Sequence, residues 1–240
     1  MLALQDEVAR VIAGEIQVRV TTQEQAVLAG KKIVNPDAHE AYLKGRYYWN
    51  KWTPDGYQKA AEYFQQAIVD DSNYPAAYAG LADSYALLGY YGVLTPKDAF
   101  PRAKAAALKA LELDDTLSEA HTSLALITDN YDWDWARGEQ EFKRALELNP
   151  SSAMAHLWYS YDPVWTGNFD AAISQAKRAR ELDPLSIVTN KSVANILYDG
   201  KQYDEAVEQC RRVLELDSAF VGLITRWERT MSKKECSNKP

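Results

Sequence analysis

The sequence predicts an all-α superhelix of about five helix-turn-helix repeats. The main reason is a recurring phrase. It stands as Ala110-Leu111-Glu112-Leu113-Asp114 and returns as Ala145-Leu146-Glu147-Leu148-Asn149, Ala179-Arg180-Glu181-Leu182-Asp183 and Val213-Leu214-Glu215-Leu216-Asp217. A looser copy, Ala67-Ile68-Val69-Asp70-Asp71, precedes them, and successive copies start 43, 35, 34 and 34 residues apart. A near-constant period of that length marks a helical array. Between the copies, apolar residues recur at helical spacing and are interrupted by Gly, Asp, Asn and Pro. Composition agrees: 47% of residues are hydrophobic, with 15 Tyr and 7 Trp against 5 Phe. Tyr and Trp suit half-buried helix contacts, a ring inside and a polar tip in water.

Residues 1–34 lie outside the period. Residues 2–20 read as an amphipathic helix with Leu4, Val8, Val11 and Ile12 on one face, and a second short helix runs to Leu28. This stretch is expected to be the helical remnant of a preceding domain plus a linker. The array then occupies 35–218, divided at about 37–72, 73–115, 116–150, 151–184 and 185–218. The first unit opens with an aromatic helix over 37–52, turns at Thr53-Pro54-Asp55-Gly56 and returns over 57–70. In the second, Gly89 ends the first helix and an extended loop, Tyr90 to Pro96, explains the 43-residue spacing. Asp129 to Trp135 is the corner of the third unit, and Asp199-Gly200 that of the fifth. Pro163 falls inside the first helix of the fourth, where proline removes a backbone bond. The helix either kinks there or ends early, with Val164-Trp165-Thr166 in a longer corner.

These units resemble the tetratricopeptide repeat. Leu81-Ala82, Tyr85, Gly89, Ala103, Ala107 and Ala110 carry the likeness in one repeat. Tyr159-Ser160, Gly167, Ala172, Ala176, Ala179 and Pro184 carry it in another. The resemblance implies a TPR solenoid in which small residues let neighbouring helices approach and large ones fill the gaps. A narrower likeness runs through Leu4-Gln5-Asp6-Glu7-Val8-Ala9, Thr22-Gln23-Glu24-Gln25, Asn35-Pro36 and Ala41 to Tyr48. It is similar to the junction that joins a TolB-like domain to a TPR region in bacterial transcriptional regulators and serine-threonine kinases. That implies a docking or sensory half whose effector would stand upstream: a winged-helix, kinase or cyclase domain.

The net charge of −7 argues against a nucleic-acid surface, which needs clustered positive charge. Cys210 and Cys236 form no disulfide framework or metal spacing. No apolar run approaches the roughly 20 residues of a membrane span. Asp6, Glu7 and Arg10 interrupt the N-terminus too early for a signal peptide. The chain as given is therefore expected in the cytoplasm, with a membrane anchor elsewhere in the parent protein left open.

His39, His121 and His156 lack metal-ligand spacing, and the last two occupy similar places in successive first helices, as scaffold residues do. Asn130, Asp132, Asp134 and Glu141 match a calcium-loop template, except that Trp135 stands where its glycine belongs. These acids read instead as a cap for the helix that follows. No phosphate loop, nucleophile elbow or kinase motif is present in the sequence. The expectation is thus a non-catalytic protein-interaction scaffold, without cofactor or metal, that takes a protein or peptide on the concave face lined by first helices. Ala79, Asp83, Thr122, Leu157, Tyr161, Lys191 and Asn195 are its groove candidates. Lys191 and Asn195 also match the first two members of the carboxylate clamp of some TPR domains. The more general reading is a peptide groove with Tyr161 as an aromatic anchor. The alternative is an oligomerisation element, self-associating through an open C-terminal face.

That alternative rests on the tail. Residues 219–240 lack the repeat's large-small pair and read as degenerate. In a shifted reading frame, permitted codons for residues 223–240 spell AHYSLGTYDEQKGMFKQA, a good first helix and the start of a second. The coding DNA is expected to carry such a peptide out of frame; a shifted frame without repeat-like residues would exclude a frameshift.

Overall fold

A computed structural model describes residues 35–217 of the chain. The helical remnant expected over 1–34 and the tail at 219–240 lie outside the described residues, and with them the proposed open C-terminal face. Every regular element among the described residues is helical. In order they are α1 (Pro36–Trp49), α2 (Pro54–Asp70), α3 (Pro75–Tyr90), α4 (Pro96–Leu113), α5 (Ser118–Ile127), α6 (Trp135–Leu148), α7 (Ala153–Tyr159), α8 (Asp162–Trp165), α9 (Phe169–Leu182), α10 (Ile187–Asp199) and α11 (Tyr203–Leu216). A π-helical turn, Thr128–Asp132, extends α5. Antiparallel neighbours pack as pairs, and the first helices of successive pairs also touch: α1 with α3, α3 with α5, α5 with α7. The result is an all-α superhelical repeat.

The recurring phrase has one structural job. At each exit from a second helix, the backbone N–H of Asp71, Asp114, Asn149, Asp183 or Asp217 donates to the carbonyl four places back, on Ala67, Ala110, Ala145, Ala179 or Val213. The four alanines are fully buried, so the next first helix passes directly over them. The exit residue then starts the following turn. Oδ1 of Asp71, Asp114 and Asn149 accepts from the backbone N–H two residues on, at 3.0, 2.9 and 3.1 Å. New helices begin on side-chain caps that satisfy otherwise orphaned N–H groups: Thr53, Thr95, Asp134, Ser152, Asn168 and Ser186.

Several corners differ from the sequence reading. Thr53 to Gly56 is not a turn: Thr53 caps α2, and Pro54 stands in its first turn, where a missing N–H costs nothing. Each of the five corners within a pair places one residue in left-handed backbone: Trp52, Gly92, Trp133, Gly167 and Lys201, with φ of 51°, 70°, 58°, 77° and 61°. Three of these five are not glycine, so the corner cannot be located by glycine alone. Gly89 lies inside α3, and a Cβ there would meet that of Ala99 at 2.8 Å. Gly200 has ordinary φ and the left-handed residue is its neighbour Lys201. In the third pair most of the expected corner is the π-helical turn. At Pro163 the first helix ends early: α7 stops at Tyr159 and Pro163 sits in the first turn of the separate, four-residue α8.

One core cluster joins the first three pairs through Trp49, Tyr57, Phe64, Leu87, Phe100, Leu124 and Ile127. A second joins the last two through Ile173, Val193, Ile196 and Leu197. Phe64 shows how the pairs approach. Its ring lies between the bare α-carbons of Gly45 on α1 and Gly80 on α3; a Cβ at either would meet Phe64 Cε1 at 2.6 Å. Gly80→Ala gains up to about 1 kcal/mol of helix propensity but overpacks a filled site at a cost of about 1–3 kcal/mol. The expected outcome is net destabilisation by about 1–2 kcal/mol, measured by urea unfolding. Unchanged or increased stability would mean that α1 and α3 separate freely.

Candidate functional site

The seven groove candidates divide by burial. Ala79, Thr122 and Leu157 are only 1%, 5% and 1% exposed, so they do not line an accessible groove. Ala79 packs with Ala110 and Ala120, beneath the crossing from the second pair to the third. The Thr122 hydroxyl donates to the Ser118 carbonyl at 2.9 Å, back along its own helix. At Ala79 the next first helix, through Ala120, covers the position as the array stacks. Asp83, Tyr161, Lys191 and Asn195 remain partly exposed.

Asp83 and Tyr161 each tie one first helix to the next. Ser123 on α5 donates its hydroxyl to Asp83 Oδ1 on α3 at 2.5 Å. The Tyr161 hydroxyl donates to Ser192 Oγ on α10 at 2.9 Å. Burial pushes the Asp83 carboxyl up to about 6, although the Ser123 bond and the Arg46 charge pull it down; Glu119 adds to the rise. Burial likewise raises the Tyr161 phenol to about 12, opposed by its bond to Ser192.

The histidines are part of the frame. His121 Nδ1 meets Glu141 Oε2 on α6 at 2.7 Å, and its Nε2 meets the Asp115 carbonyl at 3.1 Å. His156 repeats the arrangement with Gln175 Oε1 at 2.6 Å and the Pro150 carbonyl at 3.1 Å. In the fifth pair Asn190 takes the same place. Its Nδ2 donates to the Pro184 carbonyl at 2.9 Å, and its Oδ1 accepts from buried Gln209 at 2.6 Å. One polar staple thus pins the first helix to the second in three successive pairs. The residues of the calcium template are also engaged. Asn130 Nδ2 donates to the Leu126 carbonyl, Asp132 pairs with Lys104, and Asp134 caps α6 by accepting from Arg137 N.

Aromatic rings narrow the inner side. Trp52, in the corner after α1, approaches Trp158 on α7 to 6.2 Å between centroids, and Trp158 approaches Tyr161 to 6.1 Å. The corner of the first pair therefore touches the first helix of the fourth. Beside this contact lies a small cleft of about 30 Å³, whose lining includes Tyr90, Trp158, Tyr161 and Trp165 with Asp129 and Asp162. The sequence reading did not single out either acid as a site residue. Asp129 stands on the π-helical turn and Asp162 opens α8, and both places come from local helix irregularities that the period does not show. Burial raises both carboxyls above their usual range. For Asp129 the hydrogen bond and charge of Asp162 add to the rise, as does Asp134; for Asp162 the Asp129 bond opposes it and Glu139 adds to it.

No family model matches the chain. It is 30% identical over 148 residues to the transcriptional regulator HilA of Salmonella typhimurium, covering 62% of this chain and 27% of that protein. HilA of Salmonella paratyphi A matches at the same identity and over the same shares. The chain thus spans just over a quarter of the curated relatives it matches. Among solved structures, a thermophilic TPR protein of Thermus thermophilus superposes with a TM-score of 0.65 at 17% identity, over 81% of this chain and 98% of that one. Human IFIT1, solved as a dimer with PPP-AAAA, gives a TM-score of 0.63 at 18% identity, over 81% of this chain and 47% of that one. At these identities the likeness concerns the fold, and the chain has the TPR fold. No described helix is long and apolar enough to cross a membrane.

The raised Asp83 carboxyl sets a pH dependence. Its folded state binds the proton more tightly than the unfolded chain does, so its contribution to stability falls as pH rises from the ordinary value of 3.8 to about 6 and is level above that. Asp83→Asn keeps an acceptor for Ser123 and removes the charge. Relative to wild type, the variant is expected to gain about 1–3 kcal/mol between pH 4 and pH 8. Urea unfolding at both pH values measures this; an equal difference at the two would show that the carboxyl is not held against ionisation.

Proposed function

We propose that the array is a non-catalytic protein-interaction scaffold within a larger bacterial transcription-regulatory or signalling protein, and that it takes a peptide or partner protein along its first helices. The observation that carries this reading is the inner face. Asp83 on α3, Tyr161 between α7 and α8, and Lys191 and Asn195 on α10 stay partly exposed, while Ala79, Thr122 and Leu157 are used up in packing. A row of polar and aromatic side chains on rigid helices suits recognition of an extended or helical segment. The likeness to HilA, a transcriptional regulator more than three times the length of the matched region, supports a module that serves an effector elsewhere in the protein. A preceding TolB-like domain, as the residues before Tyr48 resemble, belongs to the same proposal.

The test is recovery of partners by the intact parent protein. Replacing Asp83, Tyr161 and Lys191 together by Ala is expected to abolish a specific partner's recovery from cells of origin while circular dichroism keeps its helical signal. Undiminished recovery by the folded triple variant would place the contact on another face.

A further inference from the structure

We infer that one proton, shared between Asp129 and Asp162, latches α8 onto the π-helical turn, and that its loss frees α8 together with Trp165. The two carboxyls are hydrogen-bonded to each other. An ionised carboxylate only accepts, so a bond between two carboxyls requires that one of them keep its proton. The surroundings offer no other balance for a second charge. Asp129 is 7% exposed, and its Oδ1 packs against the α6 backbone at Gly138, where a Cβ would overlap it. Neither Asp129 Oδ1 nor Asp162 Oδ2, both buried, accepts from an N–H or hydroxyl group of the described residues. Among those residues no Lys, Arg or His lies within 4.0 Å of either carboxyl. Two acids in contact under these conditions do not both ionise at neutral pH.

The bond matters because α8 has little else on that side. A four-residue helix is far below the roughly 12–15 residues at which a helix begins to hold itself together in water. None of its residues is fully buried, and Trp165 is 70% exposed. Toward the fifth pair it is tied down: Val164 packs against the second core cluster, and the preceding Tyr161 bonds Ser192. Toward the third pair, Asp162 reaches the π-helical turn through Asp129. When the proton passes to water, two carboxylates are left in contact and the bond between them is lost. The groups facing the pair do not offset this. Asp134 before α6 and Glu139 on α6 are negative. Glu139 already holds Lys143 at 2.9 Å and accepts from Tyr159 of α7 at 3.1 Å, and Lys104 of α4 is paired with Asp132. Tyr90 of α3 and Tyr161 line the same cleft and are neutral phenols at neutral pH. The folded chain thus holds this proton more tightly than the unfolded chain does, so the latch is shut at neutral pH and opens as pH rises. It is separate from the partner face proposed above.

The test is an NMR titration of the full chain from about pH 4 to about pH 10. It follows the carboxyl carbons of Asp129 and Asp162, the Val164 methyls and the Trp165 indole. The pair is expected to lose its first proton near the usual carboxylate range and the shared one in a second, alkaline step seen on both carboxyls. Val164 and Trp165 are expected to shift with the midpoint of that second step. Asp162→Asn puts an amide donor in place of the shared proton, so the alkaline step at Val164 and Trp165 is expected to vanish. Glu139→Gln is the second variant: the side chain is exposed and removes one like charge, so the second step is expected about half a pH unit lower. A pair without a second step overturns the shared proton. A second step with no movement at Val164 and Trp165 overturns the latch. So does an alkaline step at those two residues that survives Asp162→Asn or stays in place in Glu139→Gln, since it then belongs to another group.

Discussion

The array depends on one contact repeated at every exit from a second helix: a backbone N–H closing onto the carbonyl of a small, buried residue. Because the residue is alanine in four of the five copies, the next helix lies against the backbone, and there is no side chain to hold it off. At Asp71, Asp114 and Asn149 the closing residue's own carboxyl or amide begins the turn that launches that helix. In the third pair the Ala145 carbonyl accepts a further bond, from buried Ser118 Oγ at the start of α5, at 2.9 Å. That bond ties the exit back to the first helix of its own pair. The flanking Leu and Glu positions can vary, as Arg180 in place of Leu shows, whereas closure recurs in all five copies.

A second repeated device works across the pair. His121, His156 and Asn190 each reach back to the carbonyl six residues before them and across to a side chain on the second helix. The three differ in type, yet each presents two polar atoms at the same point of the helix. This explains why two histidines at matching places belong to the frame. It also explains why burial there is tolerated: both polar ends of each side chain are satisfied.

How much of this was legible follows from how local each cause is. Helices, their pairing and the superhelix follow from the phrase and its period, because a buried alanine and an acidic exit are properties of single residues. The corners were less legible. Their left-handed residue is Trp52, Trp133 or Lys201 more often than glycine, and nothing in those side chains announces it. Burial along the first helices was misread at Ala79, Thr122 and Leu157, since stacking between pairs decides which side is covered and a single repeat does not contain that information. Asp129 and Asp162 were passed over because their meeting depends on two irregularities: a widened turn at the end of α5 and a helix broken before Pro163.

Those irregularities have a common consequence. A regular first helix would carry residues 160–165 onward along its own axis. Instead α7 stops, Pro163 starts a separate short helix, and Asp162 and Trp165 come to face the π-helical turn. The widened turn brings Asp129 beside Gly138, on a helix that leaves room for its carboxyl. Meanwhile Trp52 and Trp158 close the inner side next to it, so the array is not an open channel along its whole length. The departures from periodicity in the third and fourth pairs thus produce a half-closed, acidic, aromatic cleft that stacking of identical units would not create. A local feature that breaks a repeat costs helix hydrogen bonds, and here those costs converge on a single place in the molecule.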